Sequence, residues 1–338
     1  MKSYSTNLKS KNILVTGGTG FVGSHLVEEL VRLEANVVTT FISTSPLSYF
    51  FSQGLNKKVK MVHADVADFE SMTDIVTKFE TDFIFHLAAQ ALVETAYYNP
   101  RKTLESNITG TINILEAARL YPKVTGVIVA SSDKAYGKIK SKVKSQKSKL
   151  RYQESDPLRG DHPYEVSKSA ADLISTAYYR TYNLPVVITR FGNIYGEGDL
   201  NFSRIVPGII ESVVQSKKLE VRSNGSYVRD YLYVKDVVSG YLLLADNIDK
   251  AQGEAFNFGS EESLSVIEVI NRFEKILHKK IDFKILNSAK NEIPYQSLDY
   301  SKIKKVLGWK PKFNLMTVGK NIYFWYKKII KSQISSEK

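Results

Sequence analysis

The chain has 338 residues, of which 43% are hydrophobic, so it is long enough to bury one large core or two modest ones. It contains no cysteine, which excludes disulfides and thiolate metal sites and is compatible with a reducing cytosol. No apolar run approaches the roughly 18 residues of a membrane span, and the polar opening MKSYSTNLKSK lacks the apolar core of a signal peptide. We therefore expect a cytoplasmic protein without a membrane partner.

The formal net charge is +12, and part of the excess lies in KIKSKVKSQKSKL, residues 138–150. A basic excess can indicate a nucleic-acid or membrane partner, or only a solvated surface. The run lacks the interleaved aromatic residues of a base-stacking platform, so we interpret it as a lysine-rich loop and expect no nucleic-acid partner. A mildly positive field would also attract an anionic substrate.

Strand-like and helix-like segments alternate from residue 12 to about residue 195. The strand-like runs are rich in Val and Ile, as in strands buried on both faces; they are NILVTG, NVVTTFI, KVKMVHADV, FIFHLAA, GVIVASS and PVVITRFG. Most gaps between them hold amphipathic segments of helix length. The alternation predicts an α/β fold with a Rossmann-type doubly wound parallel sheet over residues 1–194. Shorter elements follow, which predicts a smaller, interleaved C-terminal lobe over residues 195–338, with about 229–258 returning to the first domain.

The first strand–helix junction, VTGGTGFVGSHL, contains glycines in a GxxGxxG spacing. Such glycines allow a tight turn and close approach of the backbone to a pyrophosphate, while the helix N-terminus supplies free N–H groups. A glycine-rich turn without a ligand is the alternative, but the position at the first junction of an alternating pattern favours a dinucleotide. The predicted contacts here are Gly17, Thr19, Gly20, Phe21, Val22 and Gly23.

Three later strand ends complete the predicted cofactor site. The second strand ends in VVTTFISTSP, which has neither the acid typical of NAD sites nor the arginine typical of NADP sites, so both cofactors stay open and NAD is our first choice. Asp65 and Val66 end another strand within reach of an adenine edge, although a helix cap or turn explains Asp65 equally well. In HLAAQ, the residues Leu87, Ala88 and Ala89 would let the backbone lie against a cofactor, or would allow close helix packing.

Tyr164 and Lys168 are four positions apart in the helical motif YEVSK, so they share one helix face. A lysine ammonium beside a phenol is expected to lower the pKa of the phenol from about 10 toward neutral. The phenolate could then take a proton from a sugar hydroxyl while a hydride leaves the same carbon. This spacing is also common in ordinary amphipathic helices, but the glycine loop and a strand that ends in Ser131 and Ser132 favour the catalytic interpretation.

The motifs GGTGFVG, DV, HLAAQ, SS, YEVSK, RFGNIYG and VRDYLYVKD follow one another along nearly the whole chain, and together they resemble the extended short-chain dehydrogenase/reductase family. The segments SDKAYG, FHLAAQALVE, PLRGDHPYEVSKSAADL and RFGNIYGEGDLNFSRIVP are most similar to its sugar-nucleotide 4,6-dehydratases of the CDP-glucose type. The resemblance implies a domain that binds NAD or NADP, a lobe that binds a nucleotide sugar, and a homodimer formed through helices at about 101–120 and 163–182.

The same resemblance implies roles for the polar strand end SSDK. Tyr164 would be the base at C4 of the sugar, with Ser132 orienting the hydroxyl and Lys168 tuning the phenol. Asp133 would be the acid at C6 and Lys134 the base at C5, so that oxidation at C4 leads to loss of water across C5 and C6 and hydride return to C6. Asp133 would then need a raised pKa and Lys134 a lowered one.

Position 134 departs from the pattern of many relatives, which have glutamate there. Lysine occurs in the CDP-glucose type and also in dehydratases that invert C5, but those place the active tyrosine much nearer the serine. Because 32 positions separate Ser132 from Tyr164, we expect retention at C5. A solvated turn with a local ion pair is the alternative for Asp133 and Lys134.

The remaining predicted contacts belong to the substrate, and we expect no metal site. By resemblance, Asn193 would lie near the sugar and Arg229 would bind the diphosphate, a role that suits a bidentate guanidinium. Arg204 is a second candidate, and either arginine could instead form a surface ion pair. Gln90 and Asp299 complete the predicted substrate set. The alternatives for the whole protein are a nucleotide-sugar 4-epimerase or reductase on the same fold, or a non-catalytic protein that binds NAD(P).

Overall fold

Seven parallel strands form the main sheet of the structure, a computed structural model that describes residues 6–138, 151–288 and 293–336. Most of the predicted lysine-rich loop, residues 139–150, lies outside the described residues. The strands of the main sheet and of the second lobe together are β1 (Asn12–Thr16), β2 (Asn36–Phe41), β3 (Lys60–His63), β4 (Phe83–His86), β5 (Gly126–Ala130), β6 (Val186–Phe191), β7 (Asn193–Tyr195), β8 (Leu219–Val221), β9 (Val228–Tyr233), β10 (Ala255–Phe258), β11 (Ser263–Ser265), β12 (Phe283–Ile285) and β13 (Tyr295–Gln296).

Helices cover both faces of this sheet and build much of the second lobe. They are α1 (Phe21–Arg32), α2 (Tyr49–Ser52), α3 (Phe69–Lys78), α4 (Val93–Tyr98), α5 (Pro100–Leu104), α6 (Gly110–Leu120), α7 (Pro163–Tyr182), α8 (Ile205–Gln215), α9 (Val234–Asp246), α10 (Ile248–Ala251), α11 (Val266–Leu277), α12 (Ser301–Leu307) and α13 (Leu315–Ser336). Across the described part of the chain, none of these helices is both long and apolar enough to cross a membrane.

The main sheet has the strand order β3-β2-β1-β4-β5-β6-β10, and all its neighbouring strands are parallel. The chain order reverses between β1 and β4, which creates a crevice at the carboxyl ends of these two strands where ligands of such sheets bind. Strands β4 and β6 are buried along their whole length, as their continuous apolar runs predict. The predicted doubly wound α/β fold is confirmed.

The second lobe has its own core. Strands β11, β9, β13 and β7 form a small mixed sheet, and β8 pairs with β12. Helices α8, α11 and α13 pack together over Ile209, Ile270, Phe273, Ile322 and Tyr326, all of which are fully buried. The chain interleaves between the two cores, because α9 and β10 pack with the main sheet whereas β9 pairs within the lobe.

The segment predicted as one helix at about 101–120 contains a turn of π-helix at Glu105–Thr109 between α5 and α6. A Cβ on Gly110 would come within 2.6 Å of Cγ2 of Val66, so this glycine allows the helix to approach the end of β3. The π turn directs Asn107 inward, where its side chain is buried. Such turns often occur at functional sites, and this one lies beside the crevice.

Candidate active site

A cleft of about 2660 Å³ runs along the carboxyl ends of the main-sheet strands and continues under the second lobe. It is large enough for a dinucleotide and a nucleotide sugar together. Of the predicted cofactor and substrate residues, those that line it are Gly17, Thr19, Gly20, Phe21, Val22, Gly23, Asp65, Val66, Leu87, Ala88, Ala89, Gln90, Tyr164, Asn193, Arg204 and Arg229. Ser132, Asp133 and Lys134 line it as well, whereas Lys168 and Asp299 do not.

The glycine loop forms a cradle between β1 and α1. Gly17 has a φ of +72°, and a Cβ there would lie 2.9 Å from the backbone of Ala88. The first intrahelical bond of α1 runs from Ser24 N to Gly20 O, 2.9 Å, and the described residues supply no side chain that caps the helix. The N–H groups of the first turn therefore remain available to a phosphate, so these residues fit the pyrophosphate of a dinucleotide.

The other strand ends line the same half of the cleft. Asp65 is exposed, and its carboxylate accepts a hydrogen bond from Ala67 N, 3.0 Å, so it both shapes a turn and faces the cleft. Ala88 N donates to Thr16 Oγ1, 3.2 Å, which ties the end of β4 to β1. After β2, residues 42–45 line the cleft; within this described stretch there is no basic side chain to meet a 2′-phosphate.

The strand end that follows β5 turns at once into a short 3-10 helix, Asp133–Tyr136. Ser132 caps this turn: its Oγ accepts from Lys134 N, 3.2 Å, and donates to Asp133 Oδ1, 3.1 Å. The turn is anchored behind by Tyr136, whose hydroxyl donates to Asn257 Oδ1, 2.7 Å. Tyr136 is buried, and this anchor holds Ser132, Asp133 and Lys134 at the wall of the cleft.

Gln296 holds this turn from the side of the second lobe, and no sequence signal pointed to it. It is fully buried at the end of β13. Its Nε2 donates to Asp133 O, 2.9 Å, and its Oε1 accepts a hydrogen bond from Lys134 Nζ. The side chain is 162 positions from Lys134 in the chain, so only the tertiary structure brings them together.

Tyr164 and Lys168 lie on α7, which begins with a His162 cap and Pro163 in its first turn. Tyr164 lines the cleft near Ser132, whose hydroxyl acts to lower the pKa of the phenol. Lys168 lies behind it, buried, where its Nζ donates to Ala130 O, 2.8 Å. Burial lowers the pKa of Lys168 to about 8. The structure thus brings Ser132 and Tyr164 together in the cleft and places Lys168 against the backbone of β5.

The predicted lowering of the Tyr164 pKa is wrong. Burial, and to a smaller extent the nearby charge of Asp133, raise the pKa of Tyr164 to about 12, although Ser132 and Arg204 act in the opposite direction. The reason is physical: a buried phenolate loses hydration, and a neighbouring carboxylate repels it. Tyr164 is therefore a neutral phenol at pH 7.

Two of the predicted substrate residues have structural partners inside the cleft. Gln90 is held by Asn107, which accepts from its backbone N–H at 2.8 Å, and Gln90 Oε1 accepts from Thr103 Oγ1, 3.2 Å. Arg204 pairs with the buried carboxylate of Asp199, 3.1 Å, so the ion-pair alternative for Arg204 is present alongside its exposure to the cleft. Asn107 is a second residue that the sequence analysis missed.

Arg229 and Asn193 lie on paired strands of the second lobe. Asn193 begins β7, which pairs with β9, and Arg229 lies on β9. The Arg229 guanidinium donates to Val228 O, 2.8 Å, and lies 5.9 Å from the centre of the Tyr227 ring. Although mostly buried, it lines the cleft, so it can offer a positive charge to a phosphate.

Asp299 is not among the residues that line the cleft, so its role in substrate binding stays a prediction. Its carboxylate accepts hydrogen bonds from the backbone N–H of Ser301, 2.8 Å, and from the Ser301 hydroxyl, 2.5 Å. It thus forms a turn just before α12, outside the lining of the cleft. Aspartate side chains commonly accept a hydrogen bond from the backbone N–H two residues on, and this local contact gives the residue a structural use. The described residues contain no cluster of three His, Asp or Glu side chains that could hold a metal ion.

Comparison with known proteins places this geometry in a family. The model of the family described as GDP-mannose 4,6 dehydratase matches residues 14–322. A CDP-glucose 4,6-dehydratase of Salmonella typhimurium is 28% identical over 343 residues, which cover 96% of this chain and 93% of that protein.

Two solved structures share the fold over almost the whole chain. A dTDP-glucose 4,6-dehydratase of Streptomyces venezuelae, solved with NAD, has a TM-score of 0.83 at 26% identity and covers 94% of this chain and 97% of its own. A UDP-glucose 4-epimerase of Thermotoga maritima, solved with UDP-glucose, has a TM-score of 0.83 at 29% identity and covers 94% and 99%. The resemblance to extended short-chain dehydrogenases/reductases is confirmed: the chain belongs to the GDP-mannose 4,6 dehydratase family.

Proposed function

We propose that this protein is a nucleotide-sugar 4,6-dehydratase that converts an NDP-hexose, with CDP-glucose favoured over UDP- or dTDP-glucose, to the NDP-4-keto-6-deoxyhexose. The observation that carries the proposal is the pair Asp133 and Lys134, held at the cleft wall directly beside Ser132 and Tyr164. Oxidation of a sugar hydroxyl by the cofactor requires neither Asp133 nor Lys134. An additional acid and base at the same place suit removal of water from the neighbouring carbons.

The cofactor is NAD, which when bound accepts a hydride from C4 of the sugar and returns a hydride to C6. The glycine cradle at Gly17–Gly23 would hold its pyrophosphate, and Asp65 would meet its adenosine end. The absence of a basic side chain in the described stretch after β2 supports NAD over NADP.

Tyr164 takes the proton of the C4 hydroxyl in this mechanism, and Asp133 prepares it for that role. The charge of Asp133 raises the pKa of Tyr164, so protonation of Asp133 removes the repulsion and favours the phenolate. The acid at C6 must itself be protonated, so the two residues need complementary states. Ser132 donates a hydrogen bond to Asp133 and lies near Tyr164, so one proton distributed over these three side chains meets both requirements.

Asp133 and Lys134 then act on C6 and C5. The ketone at C4 acidifies the C5–H bond, and neutral Lys134 removes that proton while Asp133 protonates the C6 hydroxyl, so that water leaves. The proton on Lys134 returns to C5 after C6 has received its hydride. The water that leaves consists of the C6 hydroxyl and one proton, so the site returns to its starting state. We propose retention at C5, because one base removes and returns the proton on the same face.

We further propose a cytoplasmic homodimer formed through the helices at about 101–120 and 163–182. The supporting observation is that apolar side chains on α6 and α7 are exposed: Ile112 is 37%, Val166 41% and Leu173 59% accessible. Exposed apolar residues on two adjacent helices suit a second copy of the chain. Sedimentation equilibrium tests this part, and a mass of one chain at micromolar concentration would contradict it.

The function is tested by incubating the protein and NAD with CDP-, UDP-, dTDP- and GDP-glucose. The expected product has lost the mass of one water from one of these substrates, and NMR reports its C5 configuration. An unchanged mass with inverted C4 would instead identify a 4-epimerase, the activity of a protein with the same fold. Failure of all four substrates would contradict the proposal for simple hexoses.

A further inference from the structure

We infer that Gln296 is a positioning residue that aims the Lys134 amine at the sugar and keeps it able to act as a base. The inference rests on the proposed function, because it assigns a role to a side chain that acts through Lys134. Gln296 is fully buried, so it has no solvent to satisfy its amide. Its two hydrogen bonds instead go to the catalytic turn, to Asp133 O and to Lys134 Nζ.

The amide orientation is determined by its partners. A backbone carbonyl can only accept, so the group 2.9 Å from Asp133 O must be the NH₂ of Gln296. The carbonyl oxygen of the same amide then necessarily faces Lys134. Gln296 therefore accepts one N–H of Lys134 from a fixed direction, which restricts the direction of the remaining bonds and of the lone pair on the neutral amine.

The neutrality of Gln296 is as important as its position. A base at C5 must be an uncharged amine, and a carboxylate beside it would stabilise the ammonium form. An amide carbonyl offers a hydrogen-bond acceptor without a full negative charge. Ionisable side chains of both signs line the same cleft and include Asp133, Tyr164, Arg204 and Arg229, so the charge around Lys134 is otherwise mixed.

Gln296 is itself immobilised by the strand that carries Arg229. In the parallel pair of β13 and β9, Gln296 is in register with Arg229. The next residue on β9, Asp230, accepts hydrogen bonds from Leu298 N at 2.7 Å and from the Ser297 hydroxyl at 2.9 Å. Strand β9, which carries the proposed diphosphate ligand Arg229, therefore also holds in place the Gln296 amide that bonds Lys134.

The variant Gln296→Glu tests the inference because it changes charge at nearly constant shape. We expect the rising limb of kcat against pH to move up by about one to three pH units, since an adjacent carboxylate raises the pKa of a lysine by that amount. The matched control is Gln252→Glu, which makes the same chemical change at the end of α10, outside the cleft. The control should keep the parent profile.

A second variant, Gln296→Leu, removes the hydrogen bonds without adding charge. We expect kcat to fall about 10- to 100-fold with KM for the nucleotide sugar within about twofold of the parent, and exchange of the C5 hydrogen with D₂O to slow in proportion. An unchanged pH profile in Gln296→Glu, or an unchanged kcat in Gln296→Leu, would overturn the inference.

Two further results separate the possible failures. If the parent protein releases water from no nucleotide sugar, the proposed function fails, whatever the variants do. If both variants fail to fold, a crystal structure of the parent decides: the Gln296 carbonyl within hydrogen-bond distance of Lys134 Nζ supports the inference, and a separation of the two side chains overturns it.

Discussion

The proposed mechanism needs Asp133 in its protonated form and Tyr164 in its deprotonated form, and the interaction between these two side chains determines the chemistry of the candidate site. Burial and the carboxylate charge both raise the pKa of Tyr164, which reaches about 12. A phenol in that state is a poor base until its surroundings change. The sequence motif YEVSK predicted a phenol activated by Lys168, but the structure places the Lys168 ammonium on Ala130 O.

The variant Asp133→Asn tests this relation directly. Removal of the carboxylate should lower the pKa of Tyr164, because a like charge no longer opposes the phenolate. The same change removes the acid at C6, so water loss should stop while NAD still binds. The measurements are ¹³C NMR of ring-labelled tyrosine across pH and mass analysis of the product. A Tyr164 titration equal to that of the parent would contradict the electrostatic coupling.

Helix α7, strand β6 and the catalytic turn are connected by one buried ion pair. Arg190 on β6 binds Asp172 on α7 in a bidentate arrangement, with N–O distances of 2.7 and 2.9 Å, and both side chains are at most 5% exposed. The same guanidinium donates to the Tyr136 hydroxyl, 2.7 Å. Helix α7, which carries Tyr164, and the catalytic turn, which carries Asp133, are therefore both bound to the Arg190 guanidinium.

Replacement of Asp172 by asparagine should destabilise the fold strongly. The change leaves the Arg190 charge buried without its counter-ion, which costs about 3 to 5 kcal/mol in comparable cases. Urea unfolding of Asp172→Asn measures this loss as a lower midpoint. The matched control is Glu105→Gln, which breaks the exposed pair with Arg101; exposed pairs contribute little, so its midpoint should stay close to that of the parent. Equal midpoints for both variants would contradict the assignment.

The stability of the whole molecule should depend on pH through buried histidines. Burial, and to a smaller extent the charge of Lys168, lowers the pKa of His86 to about 3, and burial lowers that of His25 to about 4. The unfolded chain takes up these protons near pH 6.5, whereas the folded protein does not. The contribution of these histidines to the free energy of unfolding is therefore complete above their pKa in the unfolded chain. It is lost as the pH falls toward their pKa in the folded protein.

Two buried aspartates have the opposite effect on stability, because they stabilise the folded protein as the pH falls. Burial raises the pKa of Asp230 and of Asp236 to about 6. The folded protein therefore binds these protons before the unfolded chain does, between about pH 6 and pH 4. Protonation of the aspartates partly offsets the loss that the histidines cause on acidification, so the net change of the parent is smaller than the histidine contribution alone.

The variant His86→Gln isolates one histidine contribution. Linkage gives about 2 kcal/mol for a group with these pKa values between pH 7 and pH 5, so the variant should lose about that much less stability than the parent over this interval. Urea unfolding at both pH values measures the difference. The exposed His63 supplies the control His63→Gln, which should behave as the parent does. An identical pH dependence in His86→Gln would refute the assignment.

Local patterns in the sequence were enough to predict the sheet and the cofactor half of the cleft. Apolar runs of strand length, amphipathic segments between them and the GxxGxxG turn act through neighbouring residues, so one chain segment contains the information. The polar strand end at Ser132, Asp133 and Lys134 belongs to this class as well, because a strand of a parallel sheet must deliver its carboxyl end to the crevice. The division into domains at residue 194 and the site roles remain predictions.

Contacts between distant segments decided the rest. Gln296 contacts Lys134, which is 162 positions away in the chain, and no motif around PYQSLDY predicts that contact. Asp299 accepts hydrogen bonds from Ser301 in the turn before α12 and does not line the cleft. The pKa of Tyr164 follows from burial and from the distance to Asp133, which are properties of packing. The sequence by itself determined which segments become strands and where the reactive side chains emerge, while the tertiary structure decided their neighbours, hydration and charge state, because these depend on atoms far away in the chain.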